Sequence, residues 1–346
     1  MSPRDVLVID DSPTLRLFVI RTLEATGRYR VCGLSEDGRG AARLVARARP
    51  DVVVMDLTMP EVDGLAATRA IMEASPRPIV LFCGLDAPEA SRRAFEALAA
   101  GAVGLVPKPG PGVDLESTGK ALVRALDEAI LVGVRRPPAA RATAPAPAPA
   151  AELRQGLVAI GASTGGPPAV RAVLASLPAD VSPVLVLQHI VPAFVESFGR
   201  WLGGEVPQRV VVAQAGTVPA PGFVYLAPPG SDLVLRAGRL DLQPGAGRHV
   251  PSVDVTFESL CHARGLRVVG VLLTGMGDDG ARGLLALRRA GATTIAQDEA
   301  TSVIYGMPRV ARDLGAAEQI LPLEAIGPAV QRSFSPAPDA RERLRT

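Results

Sequence analysis

Two sets of residues in this chain have types that do chemistry in company, and each set is scattered along the sequence. The first is Asp10, Asp11, Asp56 and Lys108, three carboxylates and an ammonium. Gathered together, such carboxylates repel one another unless a hard cation sits among them. Mg2+, which takes oxygen ligands and keeps water positions open, suits the cluster and can position a phosphoryl group. Asp56 is then a candidate nucleophile for that group. The second set is Ser163, His189 and the acidic pair Asp278 and Asp279. A histidine can remove a serine proton while a carboxylate fixes the imidazole tautomer and stabilises its charged form. The turn Gly161-Ala162-Ser163-Thr164-Gly165-Gly166 surrounds the serine. Its backbone N–H groups suit an anion, either a bound phosphate or the oxyanion of an acyl transfer.

These groups meet only if the elements ahead of them end on a common edge. In the first part of the chain, short apolar runs at 6–9, 31–34, 52–55, 79–82 and 103–106 alternate with helix-period stretches such as 15–25 and 41–48. That alternation predicts a parallel, doubly wound sheet. Asp10 and Asp11 follow the first run, Asp56 the third and Lys108 the last, so all four converge where the strands of such a sheet finish. The rhythm returns at 157–160, 184–187, 268–273 and 294–296, and Ser163, His189 and the acidic pair each follow one of these runs. Runs at 223–226, 233–236 and 240–242 are predicted to form an antiparallel hairpin on the otherwise parallel sheet. The alternative role for Asp278 and Asp279 is to cap the helix that starts near Gly280.

Between the two halves, residues 135–151 read RRPPAARATAPAPAPAA, which denies the backbone helix continuity and offers little to bury. The expected organisation is therefore a first domain over 1–134, a linker over 135–151, a second domain over 152–331 and a disordered tail over 332–346. The chain has 346 residues, 48% of them apolar, with 37 basic against 35 acidic residues and a formal charge of +2. That balance excludes a strongly basic polymer binder, so no nucleic acid partner is expected. Three widely spaced cysteines fit neither a disulfide framework nor a metal site. The start MSPRDVLVIDD lacks the apolar run of a secretory peptide, and a cytoplasmic protein with no direct membrane insertion is expected.

The first half resembles the response-regulator receiver domain over roughly residues 4 to 131, through VLVIDDS, DVVVMDLTMPEVDG and GLVPKP. The resemblance implies a flavodoxin-like fold and phosphorylation of Asp56 by a histidine kinase. It also implies Mg2+ held by Asp10, Asp11 and Asp56 with the Thr58 carbonyl, and Lys108 contacting the phosphoryl oxygens. At the end of the fourth strand the family carries Ser or Thr, whereas this chain has LFCGLD, with Cys83 or Gly84 at that place. A thiol is the weaker hydrogen-bond donor and glycine has none. The aromatic partner on the fifth strand is absent, its place falling near Leu105.

The GASTG turn also satisfies the G-x-S-x-G pattern of α/β-hydrolases, whose triad runs Ser, acid, His. That order would need His249 or His262, and neither follows a strand-like run, so the pattern is set aside and the order Ser163, His189, acid is preferred. The second half, roughly 155 to 330, resembles the catalytic domain of the chemotaxis protein-glutamate methylesterases, the CheB type. VAIGASTGG, VLVLQHI, FVYLAPP, PSVDVTFESL, GVLLTGMGDDGARG and AQDEATSVIYGMPR carry the likeness. It implies a Rossmann-like α/β domain and a triad of Ser163, His189 and Asp279. The backbone amide of Met276, with those of Thr164 and Gly165, is a candidate oxyanion donor. The implied substrate is a glutamate methyl ester on the signalling domains of methyl-accepting chemoreceptors, with glutamine deamidation as a second activity and no cofactor for hydrolysis. The rival from another class is a receiver-controlled binding module whose glycine-rich loop holds a nucleotide phosphate without catalysis.

Overall fold

In the first half the chain runs β1 (Arg4–Ile9), α1 (Pro13–Glu24), β2 (Tyr29–Ser35), α2 (Ala41–Ala48), β3 (Val52–Asp56), α3 (Gly64–Ala74), β4 (Ile79–Cys83), α4 (Pro88–Ala99), β5 (Gly104–Pro107) and α5 (Leu115–Val132). The computed structural model describes residues 2–84, 88–110, 114–132, 156–245, 247, 249–263 and 265–334. The expected linker therefore lies outside the described residues. All five strands are parallel, in the order β2-β1-β3-β4-β5. Period-two alternation splits their side chains between two layers. Val6, Val8, Val52, Val54, Val80 and Phe82 face α1 and α5, while Leu7, Ile9, Val53, Met55 and Leu81 face the opposite helices. Helix α1 begins where Ser12 accepts the amide of Leu15, with Pro13 in the first turn; Asp10 and Asp11 do not cap it.

The second half runs β6 (Gly156–Ala162), α6 (Gly166–Ala175), β7 (Val184–Gln188), α7 (Val195–Glu205), β8 (Arg209–Val212), β9 (Phe223–Leu226), β10 (Ser231–Arg236), β11 (Arg239–Pro244), α8 (Val253–Leu260), β12 (Arg267–Leu272), α9 (Ala281–Arg289), β13 (Thr293–Gln297), α10 (Met307–Asp313), β14 (Gln319–Leu321) and α11 (Leu323–Phe334). Its seven-stranded parallel sheet has the order β14-β13-β12-β6-β7-β9-β8. Strand β6 leads the chain yet lies in the middle, with later strands added on both sides. The strand order thus reverses beside it, the place where open α/β sheets form their binding crevice.

Three expectations are corrected here. The run at 223–226 is not part of a hairpin: β9 lies in the main sheet, parallel to β7 and β8. The antiparallel pair is β10 with β11, a separate two-stranded sheet rather than an addition to the parallel one. Finally, α11 continues to Phe334, three residues past the expected boundary, because that ring is buried against Gly156, where no Cβ would fit. Strands β8 and β14 went unnoticed in the sequence, being four and three residues long and only partly buried.

The halves touch through α4. Phe95 is fully buried, with its ring centroid 5.5 Å from that of Phe198 and 5.3 Å from that of Trp201 on α7. These rings join one apolar cluster that runs through both sheets' helical layers.

Candidate functional site

Ser163 and His189 are the first residues beyond two neighbouring strands. Ala162 of β6 pairs with Gln188 of β7, and the amide of His189 donates to the Ala162 carbonyl at 2.9 Å. On the other side of β6 the amide of Ser163 donates to the Thr274 carbonyl at 3.0 Å, extending the register with β12 past its end. Three adjacent strand ends therefore bring the serine, the imidazole and the loop bearing Asp278 and Asp279 to one rim.

The imidazole and one of the two acids form a tight pair. His189 Nε2 lies 2.8 Å from Asp279 Oδ2, with both side chains nearly buried. Asp278 is exposed. Neither carboxylate caps α9, whose N-cap is Gly280 with no side-chain bond. Asp279 instead faces the start of α8: Oδ2 also accepts the Val253 amide at 2.8 Å, and Oδ1 accepts the Asp254 amide and the Ser252 hydroxyl, each at 3.0 Å. Burial alone would raise this carboxyl. The hydrogen bonds from His189 and from the Asp254 and Val253 amides outweigh it and hold the group at about 2. With Nε2 occupied, the remaining ring nitrogen, Nδ1, is buried and has no hydrogen-bond partner, so the Ser163 hydroxyl is not bonded to it in this state. Contacts of this kind often close only when substrate binds.

The Ser163 turn is held by groups that no local sequence pattern marks. The buried Gln188 amide nitrogen donates to the carbonyls of Ser163 at 2.8 Å and His189 at 3.0 Å. Thr274, also buried, receives the Ile304 amide on its hydroxyl and shares its own proton between the Thr164 and Ile304 carbonyls. Its backbone amide donates to Gln297 Oε1 at 2.8 Å. Gly275 must be glycine, since a Cβ there would stand 2.7 Å from Ser163 Cβ. Two amides of the turn are committed internally, Ser163 N–H to Thr274 and Gly166 N–H to the Ser163 carbonyl at 2.8 Å. A phosphate would find both already taken. Among the described residues, the amides of Thr164, Gly165 and Met276 donate to no acceptor.

In the first half, Lys108 Nζ lies 3.0 Å from Asp10 Oδ2 and 2.7 Å from Asp56 Oδ2. Both carboxylates are buried, and Lys108 brings the compensating positive charge to them. Asp56 Oδ1 accepts the Thr58 amide at 3.2 Å. Burial raises the Asp56 carboxyl, Lys108 opposes this and Asp10 adds to it. One oxygen each from Asp10, Asp11 and Asp56 lie within 4.8 Å of one another, a spacing that suits a hard cation bound at about 2.1 Å per oxygen. Cys83 ends β4 beside this cluster, its thiol buried and pushed up to about 12 by burial and by Asp56.

Comparison with known proteins agrees with both halves. The CheB methylesterase family model matches residues 158–330, and the response regulator receiver domain model matches residues 6–118. The chain belongs to the CheB methylesterase family. It is a hydrolase of the methylesterase class carrying a response-regulator receiver. A Myxococcus xanthus relative named protein-glutamate methylesterase/protein-glutamine glutaminase 3 is 42% identical, covering 97% of this chain and 95% of that protein. A Burkholderia lata relative, named protein-glutamate methylesterase/protein-glutamine glutaminase 1, is 44% identical over 92% of this chain and 96% of its own length. A crystal structure of the Thermotoga maritima CheB methylesterase catalytic domain, 32% identical, aligns with 51% of this chain and 98% of that one at a TM-score of 0.49. No helix among the described residues is long and apolar enough to cross a membrane.

In this CheB-family chain the receiver reaches the Ser163 turn directly. Thr164, next to Ser163, donates its hydroxyl to Glu128 Oε2 of α5 at 2.9 Å. Nothing in the sequence marked Glu128, because a contact between halves has no local pattern. Ser252 did carry a signal: a serine ahead of an apolar helix-period run is an N-cap, and it accepts the Val255 amide at 3.3 Å.

Proposed function

We propose that this chain hydrolyses γ-methyl esters of glutamate side chains on the signalling domains of methyl-accepting chemoreceptors in the cytoplasm. Ser163 is the nucleophile, His189 the general base and Asp279 the carboxylate that orients it. The observation that carries this reading is the His189 pair: Nε2 bound to Asp279 at 2.8 Å and Nδ1 buried and unpaired, on a residue that directly follows the strand neighbouring the one that leads into Ser163. Since Nε2–H donates to the carboxylate, Nδ1 holds the lone pair, and Nδ1 is the nitrogen that takes the serine proton.

Ser163 Oγ bonds to the ester carbonyl carbon as its proton passes to Nδ1. The tetrahedral oxyanion is met by the free amides of Met276, Thr164 and Gly165. The carbon–methoxy bond then breaks, the imidazolium returns its proton to the leaving oxygen and methanol departs. Water, deprotonated by Nδ1, attacks the glutamyl-serine; the serine oxygen leaves with that proton, giving glutamate. A glutamine amide follows the same course with ammonia as leaving group. Hydrolysis needs no cofactor. Methanol release from a radiolabelled methylated receptor tests the reading: Ser163→Ala abolishes it, and a variant that keeps it refutes the nucleophile.

The receiver half is proposed to accept a phosphoryl group on Asp56 from a histidine kinase, with Lys108 contacting its oxygens. Mg2+ held by Asp10, Asp11, Asp56 and the Thr58 carbonyl would supply positive charge to that group when bound. Without phosphorylation, the receiver is proposed to hinder receptor access to Ser163, a reading supported by Glu128 on Thr164 and by Phe95 between Phe198 and Trp201. The domain division at 134, 151 and 331, adjusted for the helix that ends at Phe334, belongs to the same proposal.

A further inference from the structure

One hydrogen bond fixes a point of a ring and leaves its plane free to rock. In His189 that point is Nε2, held by Asp279, while Nδ1 has no partner to fix the other side. A second imidazole supplies the plane. The His249 ring lies nearly parallel to that of His189, with 6° between the planes and the centroids 4.7 Å apart. A face-on neighbour at this distance is a favourable ring contact, and it covers a face without competing for either nitrogen at the ring edge.

His249 also belongs to the segment that holds the carboxylate. Ser252, Val253 and Asp254, a few residues on, supply a hydroxyl and two amides to Asp279. One short stretch, 249–254, thus grips both members of the pair, the acid by hydrogen bonds and the imidazole by its face. We infer that His249 is a positioning residue for the hydrolysis: its stacked ring sets the plane of His189 so that Nδ1 is presented to Ser163 Oγ. This rests on the proposed roles of Ser163 and His189. It assigns His249 no proton transfer and no contact with substrate, so a flat ring of another kind should serve in its place.

The test compares His249→Ala, His249→Leu and His249→Phe in the full chain, using methanol release from the methylated receptor, with Ser163→Ala alongside. Small misplacements of a reacting group cost on the order of 10²-fold in rate. Alanine and leucine at 249 should therefore lower kcat by about 10- to 100-fold, with KM within about threefold of the parent. Leucine refills the volume without a planar face, which keeps the test open if the alanine variant does not fold. Phenylalanine should restore kcat to within about threefold. The inference is overturned if the leucine variant keeps full kcat, or if phenylalanine is as damaging as leucine, which would require imidazole chemistry at 249. Should Ser163→Ala retain activity, the hydrolase reading itself falls. An inactive Ser163→Ala beside a fully active His249→Leu removes only the positioning role.

Discussion

Asp279→Asn is the most informative single change, because the carboxylate is surrounded by donors on every side. Oδ2 takes His189 Nε2 and the Val253 amide, and Oδ1 takes the Ser252 hydroxyl and the Asp254 amide. Asparagine offers one carbonyl oxygen and one NH2, so in either orientation a backbone amide of α8 faces another donor. A buried donor left without an acceptor costs about 1–3 kcal/mol. The lost charge adds to this. Asp279 titrates at about 2 rather than 3.8, a difference that corresponds to about 2 kcal/mol of stability. Because the folded value is the lower one, that contribution is full above the unfolded value and fades as pH falls towards 2. Urea unfolding should find the variant less stable by about 3–5 kcal/mol at pH 7, with a gap that narrows between pH 4 and pH 2. Activity should fall further than stability. If the NH2 turns towards Nε2, the imidazole must carry its proton on Nδ1 and can no longer accept one from serine. If it turns away, the tautomer survives but nothing stabilises the imidazolium. A loss on the order of 10⁴ in kcat accompanies this change in the serine-protease template. A variant within tenfold of the parent kcat, or a stability gap indifferent to acid, would refute the assignment of Asp279.

Glu128→Ala in the unphosphorylated full chain should raise basal methanol release several-fold by freeing Thr164; no rise, with and without a small-molecule phosphodonor, removes Glu128 from the proposed restraint. Cys83→Thr places a hydroxyl donor beside Asp56 where a buried thiol now stands, and should increase the ratio of phosphodonor-stimulated to basal activity. Gly275→Ala sets a methyl 2.7 Å from Ser163 Cβ, so kcat should fall at least tenfold; an unchanged rate means that the loop yields without disturbing the serine.

The two clusters were legible in the sequence for one reason: each chemical residue follows an apolar run, and parallel strands finish on one edge. Asp56 after VVVM and His189 after VLVLQ are local patterns with a global consequence. The acid was harder. Asp278 and Asp279 are adjacent and chemically alike, and the strand pattern cannot say which one turns inward. The structure separates them through α8, whose first amides lie 25 and 26 residues away from Asp279 in sequence. The same limit hid His249, whose loop position gave no sign that its ring would lie on His189. It also misled the reading of β9, because four apolar residues ahead of a hairpin look alike whether they pair forwards or join a parallel sheet. Periodicity reports which face of an element is buried, and partner choice between distant elements is left to packing.

The receiver meets the second half through two kinds of contact. Phe95 is fully buried among Phe198 and Trp201, and truncating a buried phenylalanine costs about 3–5 kcal/mol. The Glu128–Thr164 bond is partly exposed, and a hydrogen bond to a charged group contributes at most about 1.5–3 kcal/mol, less where water competes. The buried aromatic contact on α4 thus offers the adhesion of the halves more than the Glu128 bond does, which joins α5 to the Ser163 turn. Helix α4 follows β4, the strand that ends in Cys83 beside Asp56. The proposed phosphorylation of Asp56 would thus change the charge beside the end of the strand that precedes α4 in sequence, the helix that carries the aromatic contact.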